Sequence, residues 1–343
     1  MGTRIKDIAR RAEVSEATVS LVLNQKPGVS TFTRERILKL AREMDYGATQ
    51  RQVLSTRSGT IRFLKIATHG HTVNRDHNVF LADYIDGLTR SARLLGYNLE
   101  ISAFSGTGID EIVNSVRGAP LKGVVVLGTE LGAEAVRRFA QLPIPFVFLD
   151  TYYDFLPFDF VDMNNKDAVY DIITHLIDNG HESLGFVRSP VNTHNFFLRD
   201  EGFYQTMTEL GMSIPEVSVF DVDSTFDGAY RDMLELLDGR GELPTALFCT
   251  NDIMAYGTIK ALRERGWRVP ADVSVVGFDD LPLSAVMEPP LTTMQVSKKR
   301  MGEMAMQLLS MRVENEESGP PMKIQIGGSL IVRQSVRNLR RGA

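Results

Sequence analysis

From Ile61 onward the chain alternates short apolar runs, rich in β-branched and aromatic residues, with amphipathic stretches of helical period. The first four runs are IRFLKIAT, LEISAF, GVVVLG and FVFLD, and SLGFV, SVFDV, TALFC and VSVVGF follow. Continuous Val/Ile/Leu/Phe runs belong to strands covered on both faces, and such strands alternate with helices in parallel, doubly wound sheets. Two successive series imply two wound halves, an α/β body of two lobes. Ligands in such folds bind outside the carboxyl ends of the strands. The polar residues that close the runs therefore outline a candidate cleft: Thr68 and His69, Asp150, Asn251 with Asp252, and Asp279 with Asp280.

At 343 residues the chain exceeds one ordinary core and implies two or three domains. Its net charge of −5 conceals a division. Residues 1–60 hold 11 Lys and Arg against 6 Asp and Glu, about +5, which leaves the remainder at about −10. A basic head on an acidic body draws phosphate to one end only. No apolar run approaches the length of a membrane span, and the N-terminus carries charges where a signal peptide needs an apolar stretch, so a cytoplasmic protein is expected. The lone Cys249 has no partner for a disulfide or a zinc site and is read as core.

Between Thr3 and Met44 three amphipathic segments follow one another. Ile5, Ile8, Ala9 and Ala12 share a face of the first, Glu13-Val14 makes a tight connection, and Ser15 is placed to cap the second. There Val19, Val22 and Leu23 turn inward, while Glu16, Ala17, Ser20 and Leu21 turn outward. Short, partly apolar side chains on an outward face suit a helix seated in a major groove. Ser30 to Met44 supplies a third helix with Ile37, Leu40, Ala41 and Met44 as its stripe and Arg34, Arg36, Lys39 and Arg42 around it. The pattern alone fits a helix-turn-helix or another small helical bundle.

The run TRIKDIARRAEVSEATVSLVLN, followed by VSTFTRERILKLAREMDY, closely resembles the head of the lactose/galactose repressor (LacI/GalR) family, and AxVSxATVSxVLN is highly specific to it. The resemblance extends over nearly the whole chain. It implies a helix-turn-helix domain at 1–47, a hinge at 48–60 and an effector-binding and dimerisation domain at 61–343, with lobe one near 61–160 and 291–320 and lobe two near 161–290 and 321–337. It further implies a sequence-specific transcription regulator, a repressor acting as a homodimer on a nearly palindromic DNA operator. A small-molecule effector, a sugar or sugar derivative, would control it, with no cofactor, metal or membrane partner. Glu16, Ala17 and Leu21 take the base-contacting positions. A glutamate accepts from a cytosine amino group, and alanine and leucine meet a thymine methyl. Thr18, Ser20 and Asn24 bind phosphate or cap structure, and Thr3 and Ser15 complete the contact set. In the hinge the family inserts a leucine into the minor groove. Here Ala48 and Thr49 replace the usual proline and asparagine, and Leu54 sits one place early, with Val53 beside it. No leucine heptads follow the body, so a dimer without a tetramer-forming tail is expected.

In the body LDTYYD, VDMNN, the stretch around RDEGF, PTALFCTND and DVSVVGFDD match the family's effector-domain motifs. On that resemblance Asp150, Asn195, Arg199, Asn251 and Asp279 contact the ligand, His69 stands at the cleft and Phe80 forms an apolar wall. Carboxylates, amides and a guanidinium around an aromatic face suit a hydroxyl-rich ligand. Asp and Asn after a strand also cap helices, and Asn251 could do only that. The stretch HGHTVNRDHNVF is longer than most family members carry there. Its His69, His71 and His77 match no standard zinc spacing, and lining of the pocket or the dimer face is expected instead. An enzyme is disfavoured because Gly106-Thr107-Gly108 lacks the third glycine of a dinucleotide loop and no GxSxG elbow is present. A periplasmic-type sugar-binding protein shares the two-lobed body, but the charged N-terminus and the head argue against it. A nucleobase is the alternative effector.

Overall fold

Three helices build the head: α1 Ile5–Ala12, α2 Glu16–Leu23 and α3 Thr31–Glu43. The computed structural model describes residues 5–23, 28–44, 59–191, 193–212, 218–314 and 319–340. Thr3, Asn24, Val53, Leu54 and the hinge at 48–58 lie outside the described residues. The head core is the expected one: Ile8, Ala9, Ala12, Val19, Val22, Ile37 and Ala41, flanked by Ile5, Val14, Leu23, Leu40 and Met44. α1 stops because Glu13 adopts a left-handed φ of 51°, so that its amide reaches the Arg10 carbonyl and the Val14 amide reaches that of Ala9. These two bonds satisfy terminal carbonyls of the helix. Arg36 of α3 donates to the Ala12 carbonyl and clamps the same end. Ser15 Oγ accepts from the Thr18 amide at 3.1 Å and starts α2, and Ser30 Oγ does the same for Thr33 at 3.2 Å in α3.

The second compact unit starts at Thr60. Its strands are β1 Thr60–Ala67, β2 Asn98–Ser105, β3 Leu121–Leu127, β4 Phe146–Leu149, β5 Phe160–Met163, β6 Leu184–Arg188, β7 Val219–Asp221, β8 Ala246–Cys249, β9 Ser274–Asp279, β10 Thr292–Gln295, β11 Lys323–Ile326 and β12 Ser329–Ile331. Its helices are α4 Asn78–Leu95, α5 Ile109–Arg117, α6 Ala133–Arg138, α7 Asn165–Asp178, α8 His194–Glu209, α9 Phe226–Leu237, α10 Asp252–Glu264 and α11 Lys298–Glu314. One sheet runs β11-β5-β4-β3-β1-β2 and the other β12-β10-β9-β8-β6-β7. Pairing is parallel except between β10 and β12. Each sheet thus reverses its winding once, between β1 and β3 and between β6 and β8, which is where wound sheets open a crevice.

The eight apolar runs correspond to β1–β4 and β6–β9, as expected. The lobe boundaries need correction. β10, expected in lobe one, pairs with β9 in the second sheet, and β11, expected in lobe two, pairs with β5 in the first. β5 itself extends lobe one to Met163. The chain therefore crosses between lobes three times: after β5, between β10 and α11, and between β11 and β12. α11 packs on β3, β4 and β5, so lobe one is completed by a late helix. There α11 crosses α4 so closely that a Cβ on Gly87 would collide with the Lys299 carbonyl, and one on Gly302 would lie 2.5 Å from the Tyr84 carbonyl. Stacked phenylalanines fill the sheets: Phe148 on Phe160 at 5.4 Å in the first, and Phe186 between Phe203 and Phe248 at 4.4 and 5.4 Å in the second. Cys249 is buried in β8, where burial pushes its thiol well up. No described helix is long and apolar enough to cross a membrane.

Candidate functional site

Strand ends of both lobes deliver polar side chains to one small cavity of about 40 Å³. Phe80, Asp150, Asn195, Arg199, Asn251 and Asp279, all expected at the cleft, line it together with Thr72, His77, Leu81, Thr129, Thr193 and Phe196. Asp150, one residue past β4, has φ 63°, and Asp279, the last residue of β9, has φ 120°. Non-glycine residues hold such conformations at a cost of roughly 1–3 kcal/mol each, so their surroundings must fix them. Asp150 Oδ1 accepts from Tyr84 Oη at 2.9 Å and from Asn195 Nδ2 at 3.0 Å, and Oδ2 accepts from Thr129. Asp279 offers its carbonyl to Lys298, whose ammonium lies 5.0 Å from the Phe80 ring centre.

Arg199 is the pivot. One turn into α8, it is buried and donates through Nε to Asn165 at 2.9 Å and through Nη1 to the Thr250 carbonyl at 2.7 Å. Its Nη2 stands 3.7 Å from Asp279 Oδ1, and its guanidinium lies 3.7 Å from the centre of the Phe278 ring. A buried charge needs such partners. Asn195 joins the lobes by donating to Asp150 and accepting from Asn165 at 3.1 Å. Asn251 does two things: Oδ1 caps α10 through the Met254 amide at 2.8 Å, and Nδ2 faces His77 Nε2 at 3.3 Å.

Three buried carboxyls surround that single guanidinium. Burial raises Asp150 to about 6 despite Thr129, Tyr84 and Arg199, and raises Asp279 to about 7 despite Arg199. Asp162 on β5, fully buried, is pushed well up by desolvation and by the charge of Asp150. Burial also lowers His77 to about 4, against the pull of Asp76, so its ring is neutral. Its Nδ1 lies 3.0 Å from Asn74 Oδ1, which makes Nδ1 the donor and leaves Nε2 to accept from Asn251.

His69 does not join them. Its ring lies outside the lining, with Nδ1 3.4 Å from Glu130 Oε1 and its centroid 5.6 Å from that of His71. The reason is Glu130, which sequence reasoning passed over. Its buried carboxylate accepts from the amides of Thr68, His69, Gly70, Thr72 and Val73 at 2.7–3.0 Å and pulls the loop after β1 into a fixed coil. Burial opposes its ionisation, but those amides hold it down at about 2. That coil turns His69 away and brings Thr72 and His77 inward. Among the described residues no group of three or more His, Cys, Asp or Glu side chains could hold a metal. Asp252 and Asp280, also expected at the strand ends, are structural: Asp252 accepts from the Leu281 amide, Ser284 and Thr293, and Asp280 pairs with Arg333 at 2.7 Å.

On the head, Ser15, Glu16 and Ala17 are exposed, and Thr18, Ser20 and Leu21 are half-buried. Ser15 and Thr18 bond each other at 2.8 Å, so both hydroxyls serve the start of α2. Leu21 stands outside the head core, whereas Leu23 packs against it.

Residues 4–48 match the family described as bacterial regulatory proteins, lacI family, and residues 173–336 match a periplasmic binding protein-like domain. The HTH-type transcriptional repressor PurR of Haemophilus influenzae (strain PittEE) is 31% identical over 344 residues, covering 98% of this chain and 99% of that protein. Among solved structures, a transcriptional regulator CelR–cellobiose complex superimposes with a TM-score of 0.72 at 24% identity over 97% of this chain and 99% of the other. The Lac repressor dimer bound to operator and the anti-inducer ONPF does so with a TM-score of 0.70 at 24% identity, over 98% and 100%. At that identity the structural likeness speaks for the fold.

Proposed function

The chain belongs to the lacI family of bacterial regulatory proteins and is a DNA-binding transcriptional repressor, and from that premise we propose that a neutral, hydroxyl-rich ligand, a sugar or sugar derivative, controls it from the inter-lobe cavity. The observation that carries the reading is the meeting of Asp150, Asn195, Arg199, Asn251 and Asp279 around one cavity. Carboxyls and amides beside one guanidinium offer both acceptors and donors, so a ligand rich in hydroxyls, which donate and accept, suits the lining. Phe80 and Phe196 supply apolar wall for a sugar ring.

On DNA the exposed edge of α2 reads base edges through Glu16, Ala17 and Leu21, with Thr18 and Ser20 at the backbone. A homodimer in the cytoplasm would set two heads on a nearly palindromic operator, and ligand in the cavity would change how the heads are held. The coupling is reciprocal and of order 1–3 kcal/mol. A nucleobase is the second reading. The relative at 31% identity carries the name PurR, and two phenylalanines beside carboxyl acceptors also suit a planar ring with N–H donors. A thermal-shift screen of neutral sugars, sugar phosphates, nucleobases and nucleotides discriminates these, since a ligand bound only by the folded state raises its melting temperature. Neutral sugars should stabilise the protein, Arg199→Ala should abolish the shift, and the same sugars should alter operator affinity in mobility shifts. A response confined to nucleobases would replace the first reading by the second.

A further inference from the structure

The loop between β1 and α4 touches both lobes. On the lobe-one side Glu130 gathers its first amides, and Asn74 fixes the rest, accepting from the Asp76 amide at 2.9 Å and donating to the His71 carbonyl at 3.0 Å. On the other side the loop reaches lobe two in four places. His71 Nδ1 stands 3.1 Å from Asp223 Oδ2, and Ser224 Oγ donates to the His71 carbonyl at 2.9 Å. The amide of Phe226, the first residue of α9, donates to Asp76 Oδ2 at 3.3 Å, which puts a carboxylate at the positive end of that twelve-residue helix. Asn251 meets His77 at 3.3 Å.

Ser224 and His77 are buried, so two of these bonds are shielded from solvent competition. The half-buried His71–Asp223 pair, open to solvent at its edge, contributes little by itself. All four lie within seven residues of a segment already fixed to lobe one, so forming them orders little additional chain on that side. We propose that residues 69–77 are an inter-lobe clasp that sets how far the cleft closes, and that an effector regulates the protein by engaging Thr72 and His77 on the cavity side of this clasp. The second half of the proposal rests on the effector-site reading above. The first does not, because every bond of the clasp is between protein groups.

The test uses the full-length chain without added small molecules, spin-labelled on cysteines introduced at exposed Glu111 in lobe one and Glu235 in lobe two. Label-diluted samples keep distances within one subunit, and the buried Cys249 is not expected to react. His71→Ala combined with Asp76→Ala should lengthen or broaden the inter-lobe distance distribution, and the Phe226 amide should exchange with solvent about ten-fold faster. Ser224→Ala, which removes one buried hydroxyl, should move both readouts in the same direction and carries the test if the double variant does not fold. Unchanged distances and exchange in a folded variant would overturn the clasp. Whether the cavity binds sugars or nucleobases is read separately by the thermal-shift screen, so either idea can fail alone. Should a sugar that stabilises the parent protein leave the distance distribution alike in parent and clasp variants, the regulatory half is overturned.

Discussion

At His77 a buried imidazole is kept neutral, and the sign of its pH dependence follows. Its folded value of about 4 lies below the unfolded 6.5, so the unfolded chain binds more protons between the two. The stabilisation is complete above pH 6.5 and is lost as the pH falls towards 4, a gap worth about 3 kcal/mol. Asp279 runs the other way: raised to about 7, it stabilises in its protonated form and gives that up as the pH climbs through 7. We expect a His77 ring titration by NMR with a midpoint near 4, and a thermal stability of Asp279→Asn that overtakes the parent only towards alkaline pH. The convergence of Asp150, Asn195, Arg199, Asn251 and Asp279 on one cavity was legible in the sequence because each sits in or beside a motif of the family resemblance. Tyr84 and Thr129, which hold Asp150, were not legible, since nothing in a helical or strand period separates a positioning side chain from an ordinary one. His69 was misassigned because a loop has no period at all, and its path was decided by Glu130 some sixty residues away.

At the scale of elements, the end of α1 is under mild strain. Glu13 holds a left-handed conformation that glycine adopts freely, and its side chain is exposed. Glu13→Gly should therefore raise head stability by about 1 kcal/mol, measured as a higher denaturation midpoint of the head transition, since the exposed ion pair with Arg36 at 3.9 Å that it removes contributes little. In the loop after β1 the balance is opposite. Glu130→Gln replaces an ionised acceptor by an amide with one acceptor oxygen and strands several buried amides, so a loss of about 3 kcal/mol is expected in chemical denaturation. For α2, Glu16→Ala should relax base preference at one operator position by ~1–3 kcal/mol, read from binding to a randomised oligonucleotide pool. Eight strands announced themselves as apolar runs. β5, β10, β11 and β12 read FVDM, TTMQ, KIQI and SLI, with polar residues breaking any continuous apolar run, and they are the strands that flank the crossings between lobes. The lobe boundaries were misread for that reason.

For the whole molecule, the cavity is lined from both lobes, so under the proposed reading occupancy would bias lobe geometry, with a response bounded by the difference in ligand affinity between the two arrangements. The threefold crossing has another consequence. β11 and β12, each at the edge of a different sheet, come from the final stretch of the described chain, and α11, which covers lobe one, only just precedes them. While the protein is being made, the first sheet lacks its last strand until Ile326 has left the ribosome and the second until Ile331 has, although the head has its helices complete by Glu43. A nascent chain halted at residue 320 would then carry a finished DNA reader on an unfinished sensor.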